Sequence, residues 1–272
     1  MTSSAHASVF HDLHAGPDIL VLPNAWDAAS AALMADAGAK AVATSSAAVA
    51  WAHGYADGDA LPVEKLLATI AEIARFLPVP LTADIEGGYS DDLAEVSRTV
   101  AAAIDAGAVG INLEDGRRDP ELHARKIEAA RKAADRSGVR LFINARTDVF
   151  LKRLVEGDAA LPEALRRAEL YRSAGASGIF VPFANDPELI RTLAASIPLP
   201  LNVMGWTGVP KASELQALGV RRLSSATGPF RAAFAPLKRA LEAFLEDGDA
   251  SALFEAGQGA PDLNARFRTP AP

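Results

Sequence analysis

The sequence predicts a (β/α)8 TIM-type barrel of the α/β class, and three observations carry the prediction. Short apolar runs alternate eight times with runs of helical composition, the pattern of parallel strands joined by right-handed crossovers. Several of the apolar runs end in polar residues on one face, as inward-facing strand ends of a barrel do. The chain has 272 residues, half of them hydrophobic, enough for one barrel-sized core.

Residues 1–16 are polar and carry His6, His11 and His14. They read as a short helix or loose arm, with histidines spaced too irregularly to favour a metal site over surface decoration. Residues 18–23 (DILVLP) are the first strand. Residues 25–37 are alanine-rich and helical, stopped by Gly38. Residues 40–46 (KAVATSS) form strand two, followed by a loop holding Trp51, His53, Tyr55 and Asp57–Gly58–Asp59. An amphipathic helix is expected at 62–76. Strand three, from residue 79, runs into Asp84. Then follow a helix at 91–106, strand four at 108–114, a charged helix at 120–137 stopped by Gly138, and strand five at 139–146. A helix at 161–174, strand six at 177–183, a helix at 187–196 and strand seven at 200–204 come next. A helix at 211–218, strand eight at 220–225 and a long closing helix at 229–246 complete the set. Residues 1–246 are thus one barrel domain with an N-terminal arm. Residues 247–272 are a polar, Pro/Gly-rich tail, either disordered or lying against a neighbour. A doubly wound open sheet is the rival fold, but no Gly-rich dinucleotide fingerprint follows the first strand.

Composition narrows the partners. The net charge is −7 and no basic run exceeds a pair of arginines, which argues against nucleic acid and anionic membranes. No apolar run reaches transmembrane length and no signal-peptide pattern opens the chain, so a cytoplasmic protein is expected. There is no cysteine, which excludes disulfides, thiolate–zinc sites and cysteine nucleophiles.

The chemistry concentrates at the strand ends. In VPLTADIEGGY, Asp84 and Glu86 are two residues apart, the spacing that puts both on one face of a strand, and Gly87–Gly88 permits a sharp turn after them. Thr82, Asn112, Glu114, Asn144, Arg146 and Asn202 share the polar face, while Leu81, Ala83, Ile111, Leu113, Ile143 and Val203 take the other. Asp84, Glu86 and Glu114 would converge, a set of oxygen ligands suited to Mg²⁺ or Mn²⁺ held partly through water. A solvated acidic turn is the bland reading of the same residues. Arg146 is the natural partner of a substrate carboxylate, or else an ion pair to Glu114 or Asp148. Ser45–Ser46–Ala47 either aims backbone N–H groups at a developing oxyanion or is an ordinary turn. Lys40 and Lys211 are badly placed for Schiff-base chemistry. Residues 205–208 and 224–228 keep a phosphate site open, and a barrel that only binds ligand is a third reading.

LPNAWDAASA, TSSAAVAWAHGYADG, TADIEGGYSDD, AGAVGINLEDG, INARTDVF and PLNVM, in that order, resemble the isocitrate lyase/phosphoenolpyruvate mutase superfamily over about residues 21–204. The resemblance implies a Mg²⁺ site at Asp84, Glu86 and Glu114, with Asp57 close by. It implies catalytic roles for Ser45, Ser46, Ala47 and Arg146, and it places Ser45, Ser46, Asn112, Arg146 and Asn202 around a small carboxylic acid. It also implies a homotetramer in which the helix at 229–246 is exchanged between subunits. One departure stands out. Lyase members carry a Lys-Lys-Cys-Gly-His loop after strand four, whereas this chain has a short EDGRRDPELH and no cysteine. That disfavours isocitrate and methylisocitrate cleavage and leaves His123 or Tyr55 as proton donors, though each reads more readily as structural. The expected activity is Mg²⁺-dependent C–C cleavage or decarboxylation of an α-oxo or α-hydroxy acid such as oxaloacetate or an alkylmalate. P–C chemistry on phosphonopyruvate-like compounds, by a mutase or hydrolase, is the alternative, as is carboxylate binding without turnover.

Overall fold

A computed structural model describes residues 3–268; the first two residues of the arm and the last four of the tail lie outside the described residues. Nine parallel strands form a nearly closed barrel. They are β1 (Leu20–Leu22), β2 (Asn24–Ala25), β3 (Val42–Thr44), β4 (Leu81–Asp84), β5 (Gly110–Glu114), β6 (Phe142–Arg146), β7 (Gly178–Phe180), β8 (Leu201–Met204) and β9 (Arg222–Ser224). Their order is β1-β9-β8-β7-β6-β5-β4-β3-β2. The eight expected strands are all present, and the ninth arises because Pro23 divides the first. Its leading half pairs with β9 and its trailing half with β3.

The surrounding helices are α1 (Ser3–Ala15), α2 (Ala28–Asp36), α3 (Ser46–Ala52), α4 (Val63–Phe76), α5 (Leu93–Asp105), α6 (Pro120–Ser137), α7 (Ala160–Ser173), α8 (Pro187–Ser196), α9 (Ala212–Ala217), α10 (Gly228–Asp247), α11 (Ser251–Ala256) and α12 (Leu263–Arg268). Aspartates start many of them. Asp27, Asp92, Asp119 and Asp186 each accept first-turn N–H groups, which no intrahelical carbonyl could satisfy. The inner stripes follow helical spacing, as with Leu66, Ile70 and Ile73 of α4, all buried. Among the described residues no helix is long and apolar enough to cross a membrane.

Four local expectations are corrected. The helix after the first strand begins at Ala28, not residue 25, because the Asp27 carboxylate accepts the Ser30 N–H and the Ser30 hydroxyl accepts the Asp27 N–H. The stretch following strand two is not all loop, since Ser46–Ala52 is helical with Ser45 as its cap. The N-terminal histidines are not uniformly surface decoration. Helix α1 covers the end of the barrel where strands start, inserting Phe10 and His14. The His14 ring stacks on Phe142 at 3.9 Å, and burial, with Arg222 nearby, lowers its pKa to about 3. Only glycine fits beneath this plug at 110, where a Cβ would lie 2.7 Å from the Phe10 ring and 2.8 Å from the Thr82 hydroxyl. Finally, the tail returns to its own barrel: Arg266 pairs with Asp36 at 2.9 Å and Phe267 meets Phe76 edge-on at 4.9 Å.

Helix α10 stands apart from the others. Phe230 and Ala240 are its buried residues, while Phe234, Leu237, Leu241 and Leu245 form an exposed apolar row. Elsewhere, an apolar groove of about 1080 Å³ opens beside β1, lined by Leu13, Leu20, Val21, Met34 and Leu223.

Candidate active site

β4 ends at Asp84, two residues earlier than the expected register needs. Glu86 adopts a left-handed backbone, φ 50°, and its N–H donates to the Asp84 carboxylate at 3.1 Å. The two carboxylates therefore do not leave one strand face together. Asp84 points into the barrel, and Glu86 turns away to accept the Asp59 N–H and, at 3.2 Å, the Tyr89 hydroxyl. They remain electrostatic neighbours. Burial raises the Glu86 pKa to about 7, and Asp84, Asp57 and Asp59 add to the rise. Burial likewise raises Asp84 above the usual carboxylate range, with Arg146 opposing the shift and Asp57 reinforcing it.

A hydroxyl and an amide ladder hold Asp84 in place. The Thr44 hydroxyl accepts its N–H at 2.8 Å. Asn112 donates to its carboxylate at 3.4 Å and itself accepts from Asn144 at 2.8 Å and from buried Arg222 at 3.2 Å. Asn144 also reaches Asn202 at 3.4 Å. The Asn202 amide donates to Val203 O and to the Ser224 hydroxyl. Asn112 and Asn202, expected around the substrate, are interior groups: both Asn202 amide donors are engaged, and Asn112 donates to Asp84.

At the rim, Glu114 and Arg146 sit in register on β5 and β6. Arg146 donates to Glu114 at 2.6 Å and, by its Nε and Nη2, to Asp148 at 2.6 and 3.2 Å. The ion-pair reading of Arg146 is therefore realised with both partners. Burial works against its charge, but Glu114 and Asp148 outweigh that and keep its pKa raised. Burial lifts Glu114 to about 7 despite Arg146. Lys152 completes the group, 2.8 Å from Asp148 and 3.4 Å from Glu114. Behind it lies fully buried Asp115, which accepts the Asp148 N–H at 2.9 Å, Arg167 at 2.8 Å and the Tyr171 hydroxyl at 2.7 Å.

At the end of β3, the Ser45 N–H is spent on Ala25 O at 3.0 Å. Its hydroxyl caps α3 at the Ala48 N–H. Ser46 and Ala47 open α3, so their N–H groups have no intrahelical acceptor and remain available at the rim. Asp57 lies exposed on the following loop. His123 takes its structural reading: it is buried in the helical layer against Tyr171, and burial together with Lys126 lowers its pKa to about 3. Tyr55 is half-buried on the Asp57 loop. The open phosphate reading loses several donors, because the Gly205 N–H binds Ser224 O, the Ser225 N–H binds Asn24 and the Gly228 N–H binds Ser225 O.

A dication suits this chemistry. Asp57, Asp59, Asp84, Glu86, Glu114 and Asp148 outnumber Arg118, Arg146, Lys152 and buried Arg222, which lies below Asp84. Asp84, 7% exposed, has no ion pair among the described residues. A buried carboxylate in such an excess of negative charge calls for a cation. Among the described residues no three His, Cys, Asp or Glu side chains come together as a coordination set. Mg²⁺ bound by one or two carboxylates, with water and substrate oxygens filling the rest, needs no such set. Thr44, Tyr89, Asp115 and Lys152 had no sequence signal beyond their neighbourhood; only the barrel's register brings them here.

The family model for phosphoenolpyruvate phosphomutase matches residues 10–245. An uncharacterized protein of Mycobacterium tuberculosis is 36% identical over 88% of this chain and 90% of its own. The 2-methylisocitrate lyase of Bacillus subtilis is 28% identical, covering 89% of this chain and 82% of its own. The crystal structure of a candidate phosphonomutase from Burkholderia cenocepacia superposes with a TM-score of 0.84 at 43% identity, spanning 87% of this chain and 99% of that one.

Proposed function

This chain belongs to the phosphoenolpyruvate phosphomutase family, within the isocitrate lyase/phosphoenolpyruvate mutase superfamily, and from that premise we propose that it is a cytoplasmic, Mg²⁺-dependent carbon–carbon lyase. Its substrate is a small α-oxo or α-hydroxy carboxylic acid of the oxaloacetate or alkylmalate kind. The observation that carries the reading is buried, cation-deficient Asp84 beside a guanidinium held rigidly by two carboxylates. Asp84 would hold the metal, with Glu86, Glu114 and Asp57 as outer acidic groups. When bound, Mg²⁺ would act as a Lewis acid that polarises the substrate's oxo group. Arg146, already oriented by Asp148 and Glu114, presents its remaining N–H groups to a substrate carboxylate. As the bond β to the oxo group breaks, its electron pair moves into the enolate, and the Ser46 and Ala47 N–H groups donate to the charge gathering on oxygen. In decarboxylation carbon dioxide leaves and the enolate carbon takes a proton from water. An α-hydroxy acid would first lose its hydroxyl proton to water, its oxygen-bearing fragment leaving as the oxo acid while the electron pair goes to the other fragment's carboxylate-bearing carbon. The loop from Asp115 to Asp119 is too short to carry a separate acid over the site, which favours decarboxylation and other reactions that ask least of a loop acid.

The likeness to a candidate phosphonomutase supports a second reading, P–C chemistry on phosphonopyruvate-like compounds. A panel of oxaloacetate, alkylmalates and phosphonopyruvate, with and without Mg²⁺, separates the two. Metal-dependent release of an oxo-acid product supports the lyase, and release of phosphate or a rearranged phosphoryl product supports the second. Binding without product in every arm refutes both and leaves a carboxylate-binding barrel.

The assembly we propose is a homotetramer in which α10 is exchanged. The exposed row Phe234, Leu237, Leu241 and Leu245 matches in character the groove beside β1, and each helix would cover the groove of a second copy.

A further inference from the structure

The loop that carries Asp57 is tied down at several points. We propose that Arg118 and Asp59 are positioning residues whose ion pair latches residues 57–59 to the tip of β4, so that the acidic mouth is preassembled and no loop has to close over it. The proposal rests on the reading of this mouth as a dication and carboxylate site.

Asp59 bonds to three places at once. Its N–H donates to the Glu86 carboxylate, its Oδ1 accepts the Gly87 N–H at 3.2 Å, and its Oδ2 accepts from Arg118 at 2.6 Å. Arg118 reaches on by its Nε to Asp91 at 2.8 Å. Asp91 accepts from Lys126 at 2.6 Å, and Lys126 donates to Gly87 O at 2.9 Å. The bonds thus close a ring through Asp59, Arg118, Asp91, Lys126 and Gly87. The Lys126 side chain is 0% exposed, and a buried ammonium keeps its charge only where partners surround it.

Two further features mark the ring as built. A Cβ on Gly87 would overlap the Arg118 guanidinium, so glycine leaves the space in which the arginine lies. Asp59 and Glu86 both take left-handed backbones, φ 59° and 50°. Non-glycine residues stay there only when their surroundings over-determine them, and the ring supplies that constraint on both sides. Arg118 itself sits in the five residues between β5 and α6. It is fixed there by its own N–H to Asp115 O at 2.9 Å, and Arg117 donates to Lys152 O at 3.3 Å. A segment this short and this tied cannot swing as a lid. Asp57, two residues before Asp59, adds negative charge at Asp84 and Glu86, and Asp59 adds to it at Glu86.

The test compares Arg118→Met, Asp59→Asn and the double variant, with two readouts on the full chain. One is amide exchange at residues 57–59 in metal-free protein. The other is calorimetric binding of Mg²⁺ with oxalate. The latch predicts that Asp59→Asn speeds exchange at residue 59 and weakens binding by about tenfold, the loss of one charge-assisted hydrogen bond, and that Arg118→Met, which also loses the bond to Asp91, does so by at least as much. The double variant should be no worse than Arg118→Met alone, because that change already removes the pair with Asp59 along with the bond to Asp91. Effects that multiply in the double, or exchange unchanged in both singles, would overturn the proposal. Asp59→Asn is nearly isosteric and keeps the test open should Arg118→Met fail to fold. If wild-type protein binds no Mg²⁺ with oxalate, the lyase reading falls while the exchange arm still judges the latch. If wild type binds and the variants match it in both readouts, the latch falls and the lyase reading stands.

Discussion

Glu86→Gln should stabilise the metal-free protein at pH 8 and have little effect at pH 4.5. The folded chain keeps a proton on Glu86 up to about pH 7, whereas the unfolded chain releases it near the ordinary 4.5. Between these values the native state binds more protons than the unfolded one, so stability falls as pH rises. Below the window both states are protonated and no penalty exists; above it the penalty is complete. A rise from 4.5 to about 7 is worth about 3 kcal/mol, and because Glu86 abuts the exposed 57–58 turn, screening reduces this to about 1.5 kcal/mol. Glutamine has the same shape and no charge. It can accept the Asp59 N–H through its oxygen and donate to the Tyr89 hydroxyl through its nitrogen, preserving both bonds. The expected gain at pH 8 is therefore about 3–6 °C in Tm for a domain of this size. Melts of both proteins in a chelator at the two pH values provide the measurement. An equal shift at both, or a loss at pH 8, would show that Glu86 is not a buried carboxylate held against its charge.

Other changes probe the remaining parts of the site. Asp84→Ala should abolish Mg²⁺-dependent turnover, by roughly a hundredfold or more given the several kcal/mol a catalytic metal contributes; full metal-dependent activity in that variant would overturn the metal assignment. Arg146→Lys should raise KM for the carboxylate substrate about ten- to a hundredfold, since a lysine cannot make the planar bidentate contact; steady-state kinetics reads this directly. Leu241→Asp on α10 should shift the protein from tetramer to smaller species in analytical ultracentrifugation, because it buries a charge in the exchanged helix's apolar row. An unchanged sedimentation coefficient would mean that this row does not face another subunit.

Sequence patterning was a good guide wherever one physical rule dominated. The barrel followed from alternation alone, and helix ends such as Pro120–Ser137 and Pro187–Ser196 match the expected bounds residue for residue because proline, aspartate and glycine act locally there. The rim positions of Asp84, Glu114 and Arg146 followed from period-two patterning. That rule failed at Glu86, where a left-handed residue breaks the alternation, a property no side-chain pattern announces. It put Asn112 and Asn202 on the polar face, where they are, but did not give their depth in the interior ladder below Asp84. Depth depends on the barrel's stagger and not on one strand. Asp115 and Lys152 join the site through pairings across β5 and β6 and the turn after them, contacts between segments that carry no local signature. His123 takes the structural reading, since a histidine on the first turn of a helix can belong wholly to the shell.

Pro23 has a mechanical consequence. Lacking an N–H, it can only accept, and it does so from the Ala43 N–H at 2.9 Å. At that point the first segment changes partners, from β9 before it to β3 after it. The circumference is therefore continuous everywhere except at one junction, bridged by Asn24 and Ser225 through side-chain bonds of 2.8 and 2.9 Å. Under rising denaturant the wall should part there before anywhere else, and the amides of residues 20–25 should lose protection ahead of those in β5 and β6.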